Sequence, residues 1–247
     1  VNTLKTDLNT LSAQLFAEGI TTQQDPNYPN ALILEKRTNI FNLPLYKEGY
    51  FEIQDASSQL VAPFLHAEPG MTVIDACAGA GGKTLHIASL IKNKGRLIAM
   101  DIEEHKLTEL TNRAKRAGIN SINTIAIKGN SNILALNATA DRLLLDVPCS
   151  GLGVLKRNPD AKWKLNSDFI NRIKITQGQI LDNYSLMLKK SGKLVYATCS
   201  IFPSENENQV KRMLDNSKEK FFLEEEAKIM PSKGFDGFYM ARLAKTS

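Results

Sequence analysis

From Gly70 onward, short apolar runs alternate with longer amphipathic stretches, and that alternation leaves few folds open to the chain. Residues 71–74, 96–100, 124–127, 142–147 and 193–197 read as strands. A helix runs from a glycine-rich turn through Ile91, and residues 103–117 and 168–188 supply two more. In the second of these helices Leu107, Leu110, Ala114 and Ala117 fall on one stripe. Runs that are apolar throughout, such as Leu143-Leu144-Leu145, suit a parallel sheet covered on both faces. The expected fold class is therefore α/β, a doubly wound, mostly parallel, Rossmann-like sheet. Phe221-Phe222-Leu223 and residues 238–243 are expected to close it as a C-terminal antiparallel edge hairpin.

The first part of the chain has a different texture. Leu4, Leu8, Leu11 and Leu15 recur at helical spacing, Gly19 ends that helix, and Ala31-Leu32-Ile33-Leu34 reads as a strand. Residues 1–48 are read as a small N-terminal α+β subdomain and residues 49–247 as the catalytic domain. At the start of the latter, residues 49–55 alternate as a strand and residues 57–65 read as a helix.

Composition excludes several classes. No apolar run approaches the roughly 18 residues of a membrane-spanning helix, and no basic segment leads into an apolar core as in a secretion signal. The three cysteines, Cys77, Cys149 and Cys199, lie far apart. An odd, sparse set of this kind argues against a disulfide framework and for a reducing, cytoplasmic setting. No cysteines or histidines sit at metal-ligand spacing, so no metal is expected. The balance of 31 Lys+Arg against 26 Asp+Glu gives +5, a mild basicity that suggests nucleic acid only weakly.

The strand at residues 71–74 runs into Asp75-Ala76-Cys77-Ala78-Gly79-Ala80-Gly81-Gly82-Lys83-Thr84. Such a turn brings backbone amides to a ligand at the carboxyl end of a strand. A phosphate-binding P-loop needs glycine at Cys77, and the dinucleotide fingerprint needs glycine at Thr84, so neither pattern fits. Asp101, ending the next strand, is placed to accept hydrogen bonds from both ribose hydroxyls of an adenosyl group. Nicotinamide dinucleotides and S-adenosylmethionine share that requirement.

Asp146-Val147-Pro148-Cys149-Ser150-Gly151 follows one strand and Tyr196-Ala197-Thr198-Cys199-Ser200 follows another. Parallel strands end on one side, so both thiols should project over the rim that carries the glycine-rich turn. A single cysteine there is more often a small buried hydrophobe than a nucleophile; two, with Asp146 adjacent to one, are a different matter. Carbon 5 of cytosine is too weak a nucleophile to take a methyl group directly from a sulfonium. Thiolate attack at carbon 6 makes an enamine-like ring that pushes electron density onto carbon 5. A free thiol has a pKa of about 8.5, so such a site must favour the thiolate or supply a base. Asp146 can face ring nitrogen 3, orient the methionine amino group, or do both.

These residues resemble the Sun/Fmu (Nop-type) RNA cytosine-5 methyltransferases. The resemblance rests on Asp75-Ala76-Cys77-Ala78 with Gly81-Gly82-Lys83-Thr84, on the two thiol motifs, and on residues 53–58, Arg157-Asn158-Pro159-Asp160, Glu205-Asn206-Glu207 and Asp236-Gly237-Phe238. It implies a class I methyltransferase fold with an RNA-recognition-like N-terminal piece. It implies S-adenosylmethionine as cofactor, held by Cys77, Ala78, Gly79, Ala80, Gly81, Gly82 and Lys83 with Asp101, Asn130 and Asp146. Cys199 is implied as the attacking nucleophile and Cys149 as the thiol that helps release the product. The residues alone leave open which thiol attacks. The implied partner is RNA, ribosomal RNA before transfer RNA; apart from the resemblance, no membrane partner is expected, and a monomeric enzyme is. This sequence departs from the family where Gly79-Ala80 replaces Ala-Pro, which should loosen the turn, and where Asn130 replaces an acid facing the adenine amino group. Lys189-Lys190-Ser191-Gly192 also replaces a Pro-Gly-Gly ending.

Lys156, Arg157, Lys162 and Lys164 cluster after the first thiol motif, with Trp163 among them. Beside a catalytic rim, such residues can neutralise phosphates while the aromatic stacks on a base displaced from its helix. Three rivals remain. A nicotinamide-dependent oxidoreductase would leave both thiol motifs unexplained, and a silent RNA-binding relative has no need of Cys149 and Cys199 together. In DNA methyltransferases the Pro-Cys thiol attacks; the basic loop and Thr198-Cys199-Ser200 favour RNA.

Overall fold

The computed structural model describes residues 1–217, 220–231 and 234–246, the side chain of Lys164 excepted. The chain opens with helix α1 (Leu8–Ala17), which Asp7 caps by accepting the Thr10 amide at 2.9 Å. Leu4 lies in the turn before it, so the helix begins later than the leucine spacing suggests. Strands β1 (Thr22–Gln23) and β2 (Ile33–Leu34) pair antiparallel, and α2 (Pro44–Lys47) follows. Leu11, Leu15, Ile20, Ile40 and Phe51 join these pieces in an apolar cluster of their own.

Residues 49–55 do not form the expected strand. Their alternation serves two separate sets of partners instead of a ladder. Phe51 turns into the N-terminal cluster. Glu52 turns the other way, into ion pairs with Arg113 at 2.9 Å and with Arg116. Asp55 then caps α3 (Ala56–Gln59), accepting the Ser57 amide at 2.9 Å. The single helix expected over residues 57–65 is two, α3 and α4 (Val61–Phe64), because Pro63 has no N–H to give the Gln59 carbonyl.

The remaining elements are β3 (Thr72–Asp75), α5 (Gly82–Leu90), β4 (Arg96–Asp101), α6 (Glu104–Ala117), β5 (Ile122–Ala126), α7 (Asn130–Leu134), β6 (Ala140–Asp146), α8 (Ser167–Tyr184), β7 (Leu188–Thr198), α9 (Glu207–Asn216), β8 (Phe221–Ile229) and β9 (Phe238–Lys245). The seven strands from β3 onward form one sheet in the order β5-β4-β3-β6-β7-β9-β8. All neighbours are parallel except β9, which runs antiparallel to both β7 and β8. The doubly wound sheet and its C-terminal hairpin are thus as expected.

The unbroken apolar strands follow from burial on both faces. Ile74, Ile98, Leu143, Leu145, Leu194 and Tyr196 enter one core, while their neighbours Val73, Leu97, Leu144, Val195 and Ala197 enter the other. The helix expected over residues 168–188 ends at Tyr184, and β7 starts at Leu188, earlier than expected. A bulge explains the extension: Ala140 pairs with Leu188 but Arg142 with Lys193, leaving Ser191 at φ +59° between them. The Lys189-Lys190-Ser191-Gly192 departure lies in this bulge.

Candidate active site

The strand order reverses between β3 and β6, with β4 leading away on one side and β7 on the other. At such a point the loops part and leave a crevice. A cleft of about 590 Å³ opens there, walled by Cys77, Gly79, Asp101, Asp146, Cys149 and Cys199 on the strand side. Gln179, Ile180, Asn183 and Tyr184 of α8 close it, with Ile102 and Ile127 completing an apolar stretch.

The glycine-rich turn is firmly held. Gly79 takes φ +53°, a left-handed conformation that an alanine there would strain, and donates its amide to Asp101 Oδ2 at 2.8 Å. The Ala78 amide goes to the Met100 carbonyl at 2.9 Å, and the Gly81 amide to the Ala78 carbonyl at 2.9 Å. Arg113 of α6 donates to the Ala80 carbonyl at 2.7 Å. The loosening expected from Gly79-Ala80 is therefore offset by contacts from α6 and Asp101. Several amides of the turn serve its own shape and do not point to a ligand. Of the residues expected to hold a cofactor, Cys77, Gly79, Asp101 and Asp146 line the cleft, whereas Ala78, Ala80, Gly81, Gly82 and Lys83 are not part of its lining. Asn130 is exposed at the start of α7, outside the wall.

Asp101 keeps acceptor capacity for a ligand. Its Oδ1 takes the Glu103 amide at 2.9 Å and its Oδ2 takes Gly79, which leaves lone pairs on both oxygens. The donor set therefore fits an adenosyl group: a carboxylate for ribose hydroxyls, with exposed Ile102 as an apolar surface beside it.

Behind the turn, Lys83 Nζ forms an ion pair with Asp146 Oδ2 at 2.6 Å. Burial pulls the Lys83 ammonium down, but Asp146, with help from Asp75 and Cys199, more than compensates and holds it above the ordinary lysine value. Asp75 lies fully buried below, hydrogen-bonded by Thr84 at 2.7 Å, and burial pushes its carboxyl up to about 7.

The thiols meet, with Cys149 Sγ and Cys199 Sγ 3.1 Å apart. The two sulfurs are not equivalent. The hydrogen bond with Cys149 lowers Cys199 below the usual thiol value, and the Lys83 charge adds to the effect against burial and Asp146. The same bond, with burial and the nearness of Glu205, pushes Cys149 up. Either sulfur can donate in this contact; the two shifts run in opposite directions, with Cys199 the lower of the pair.

Both thiol loops are tied underneath by residues whose role the sequence does not disclose. Glu205, wholly buried, accepts from the Ser150 amide at 2.8 Å, Ser150 Oγ at 2.6 Å, Ser200 Oγ at 2.7 Å and Gln177 Nε2 at 3.1 Å. Asn206 accepts from Thr198 Oγ1 at 2.5 Å and donates to the Ser200 carbonyl at 2.9 Å. The loops also touch through backbone: a Cβ on Gly153 would sit 2.2 Å from the Gly237 carbonyl oxygen and 2.7 Å from that of Cys199.

The basic loop divides in two. Arg157 donates to buried Asp236 at 2.7 Å, and Lys156 donates to the Gly234 carbonyl at 3.2 Å, so both brace the turn before β9. Lys162 and Trp163 project outward, the ammonium 4.7 Å from the ring centre and Trp163 78% exposed. The Lys164 side chain lies outside the described residues.

Residues 62–244 match the family described as 16S rRNA methyltransferase RsmB/F. The chain belongs to that family. As an RsmB/F chain it spans about half the length of the curated relatives it matches. It is 37% identical over 224 residues to a probable ribosomal RNA small subunit methyltransferase B of Synechocystis, covering 89% of this chain and 50% of that protein. It is 36% identical over 230 residues to ribosomal RNA small subunit methyltransferase B of Salmonella paratyphi A, covering 89% and 53%. A methyltransferase homolog protein from Pyrococcus horikoshii superposes with a TM-score of 0.86 at 29% identity, over 99% of this chain and 85% of that one. NSun6 from the same organism, crystallised with SFG, gives 0.89 at 23% identity over 100% and 90%, a likeness of fold.

Some site features of this RsmB/F chain carried a signal in the sequence and some did not. Glu205 and Asn206 stood in a recognised motif, and two cysteines each followed by serine hinted at a shared anchor. Gln177 of α8 and Arg113 of α6 gave no hint, being polar residues on otherwise ordinary helices.

Proposed function

We propose that this chain transfers a methyl group from S-adenosylmethionine to carbon 5 of a cytosine in ribosomal RNA, through a covalent bond between Cys199 and the base. The observation that carries the reading is the 3.1 Å approach of Cys149 to Cys199 in the wall of a cleft that also holds Asp101. Bound in that cleft, S-adenosylmethionine supplies the electrophilic methyl group. Asp101 holds the ribose, and Cys77 and Gly79 shape the floor beside it.

In this reading Cys199 attacks carbon 6, forming the S–C6 bond while the ring π electrons shift toward carbon 5. Asp146, paired with Lys83, shares a proton with ring nitrogen 3 as the ring gains charge. Carbon 5 takes the methyl group, its proton passes to solvent, ring nitrogen 3 returns its proton to Asp146, and the S–C6 bond breaks to restore the aromatic ring. Cys149 assists that release. Lys162 and Trp163 grip RNA next to the cleft, residues 1–48 form the appended RNA-recognition-like subdomain, and the enzyme works as a monomer in the cytoplasm.

The test is transfer of labelled methyl from S-adenosylmethionine into undermodified ribosomal RNA by wild type, Cys199→Ala and Cys149→Ala. The reading expects no turnover in Cys199→Ala and a trapped RNA–protein adduct in Cys149→Ala. Loss of turnover in Cys149→Ala without any adduct assigns attack to Cys149 instead. Transfer to transfer RNA alone moves the substrate, and no transfer to either RNA sinks the proposal.

A further inference from the structure

Glu205 is a charged side chain with 0% exposure that neither reaches the cleft nor touches either sulfur by hydrogen bond. A buried carboxylate is costly unless its lone pairs are filled. Here four donors fill them, and their origin is informative. Ser150 follows Cys149 and gives both its amide and its hydroxyl, at 2.8 and 2.6 Å. Ser200 follows Cys199 and gives its hydroxyl, at 2.7 Å. Gln177 of α8 gives its amide at 3.1 Å and also binds the Pro148 carbonyl at 2.9 Å, on the other side of Cys149. The Glu205 carbonyl is fixed in turn by the Tyr196 hydroxyl at 2.5 Å, from inside β7.

One carboxylate therefore grips the residue next to each cysteine, across a sequence gap that no strand pairing spans beyond Asp146 and Thr198. Asp146 and Ala197 form the last pair of the β6–β7 ladder. Past that point β6 leaves the sheet while β7 keeps one further pairing, Thr198 with Tyr239 of β9, and the mutual position of the two loops is set by side chains and a few loop bonds.

We propose that Glu205 is a positioning residue that holds Cys149 and Cys199 in register with each other. The inference rests on the two-thiol reading for its catalytic consequence, but the register itself can be measured without RNA or cofactor. Glu205→Gln keeps the length of the side chain and leaves one acceptor oxygen for four donors.

The experiment measures the pH dependence of Cys199 alkylation by iodoacetamide in the full chain, read by peptide mass, for wild type and Glu205→Gln. With Cys149 displaced from its 3.1 Å contact, the Cys199 midpoint should rise by about one pH unit, roughly a tenfold slower reaction near neutrality. An unchanged midpoint in a folded Glu205→Gln protein overturns the proposal. Ser150→Ala and Ser200→Ala, each removing one arm, keep the test available if Glu205→Gln does not fold. Each should raise the midpoint, and wild-type behaviour of both overturns the proposal. In the methyl-transfer assay, Glu205→Gln should accumulate RNA adduct as Cys149→Ala does while its cofactor affinity stays unchanged. A wild type that alkylates as described but transfers no methyl refutes the functional reading and leaves the register standing.

Discussion

Lys83 and Asp146 form an ion pair at 2.6 Å that joins the first turn of α5 to the end of β6. The pair sits where the glycine-rich turn and the first thiol loop come together, and the Lys83 charge also acts on Cys199. The lysine thereby links the cofactor side of the cleft to the thiol side.

Lys83→Met removes one of the influences that hold Cys199 low. The expected result is a rise in the Cys199 alkylation midpoint, smaller than that caused by losing Cys149, whose hydrogen bond is the larger influence. Alkylation rates across pH, in Lys83→Met and Cys149→Ala side by side, check the order of the two effects.

Asp75 gives a pH prediction with a definite sign. Its folded-state pKa, about 7, lies above the ordinary carboxyl value. Between roughly pH 4 and pH 7 the folded chain keeps a proton that the unfolded chain has lost, so stability contributed by this group falls as pH rises through that window. The full gap corresponds to an effect on the order of 4 kcal/mol. Asp75→Asn keeps an acceptor for Thr84 and should flatten that slope. Urea unfolding at intervals from pH 4 to pH 8 shows whether the variant's dependence is shallower.

Glu52 tests the join between the N-terminal segment and the cofactor turn. Glu52→Ala leaves Arg113 and Arg116 without their carboxylate, though Arg113 keeps the Ala80 carbonyl. A fully buried pair broken in this way costs about 3–5 kcal/mol. These side chains are 17–20% exposed, so a loss of about 2 kcal/mol is expected. Chemical denaturation measures it, and S-adenosylmethionine affinity should fall with it because Arg113 supports the turn.

The basic loop should split by function. Trp163→Ala should leave thermal stability unchanged and weaken RNA binding by roughly 1–3 kcal/mol, the range of a lost base–aromatic stack. Arg157→Ala should instead lower stability, since it strands the Asp236 carboxylate, which is 3% exposed. Melting curves and RNA titrations on both variants separate the two roles.

The parts legible in the sequence were those governed by local pattern. Leu143-Leu144-Leu145 announced a strand buried on both faces, and the thiols could be placed on one rim because each follows a parallel strand. The illegible parts depend on distant partners. Residues 49–55 alternate like a strand, but Phe51 and Glu52 answer to the N-terminal cluster and to α6. Arg157 reads as a phosphate contact, and its pairing with Asp236 is invisible in the sequence. Glu205 reads as an acidic loop residue until Ser150, 55 positions earlier, closes on it. Short α7 and α9 carry too few apolar residues to be legible, although Val210, Met213 and Leu214 of α9 all pack on the core.

The order β7-β9-β8 has a consequence for how the molecule comes into being. On a growing chain, β8 leaves the ribosome before the strand that must separate it from β7. Until β9 emerges, β7 is a bare edge and β8 has nothing to pair with. The turn before β9 also brings the Gly237 amide to the Gly153 carbonyl at 2.7 Å, beside the loop that carries Cys149. Translation must therefore reach β9 before the paired sulfurs are enclosed, so a nascent chain halted earlier holds that cleft unfinished.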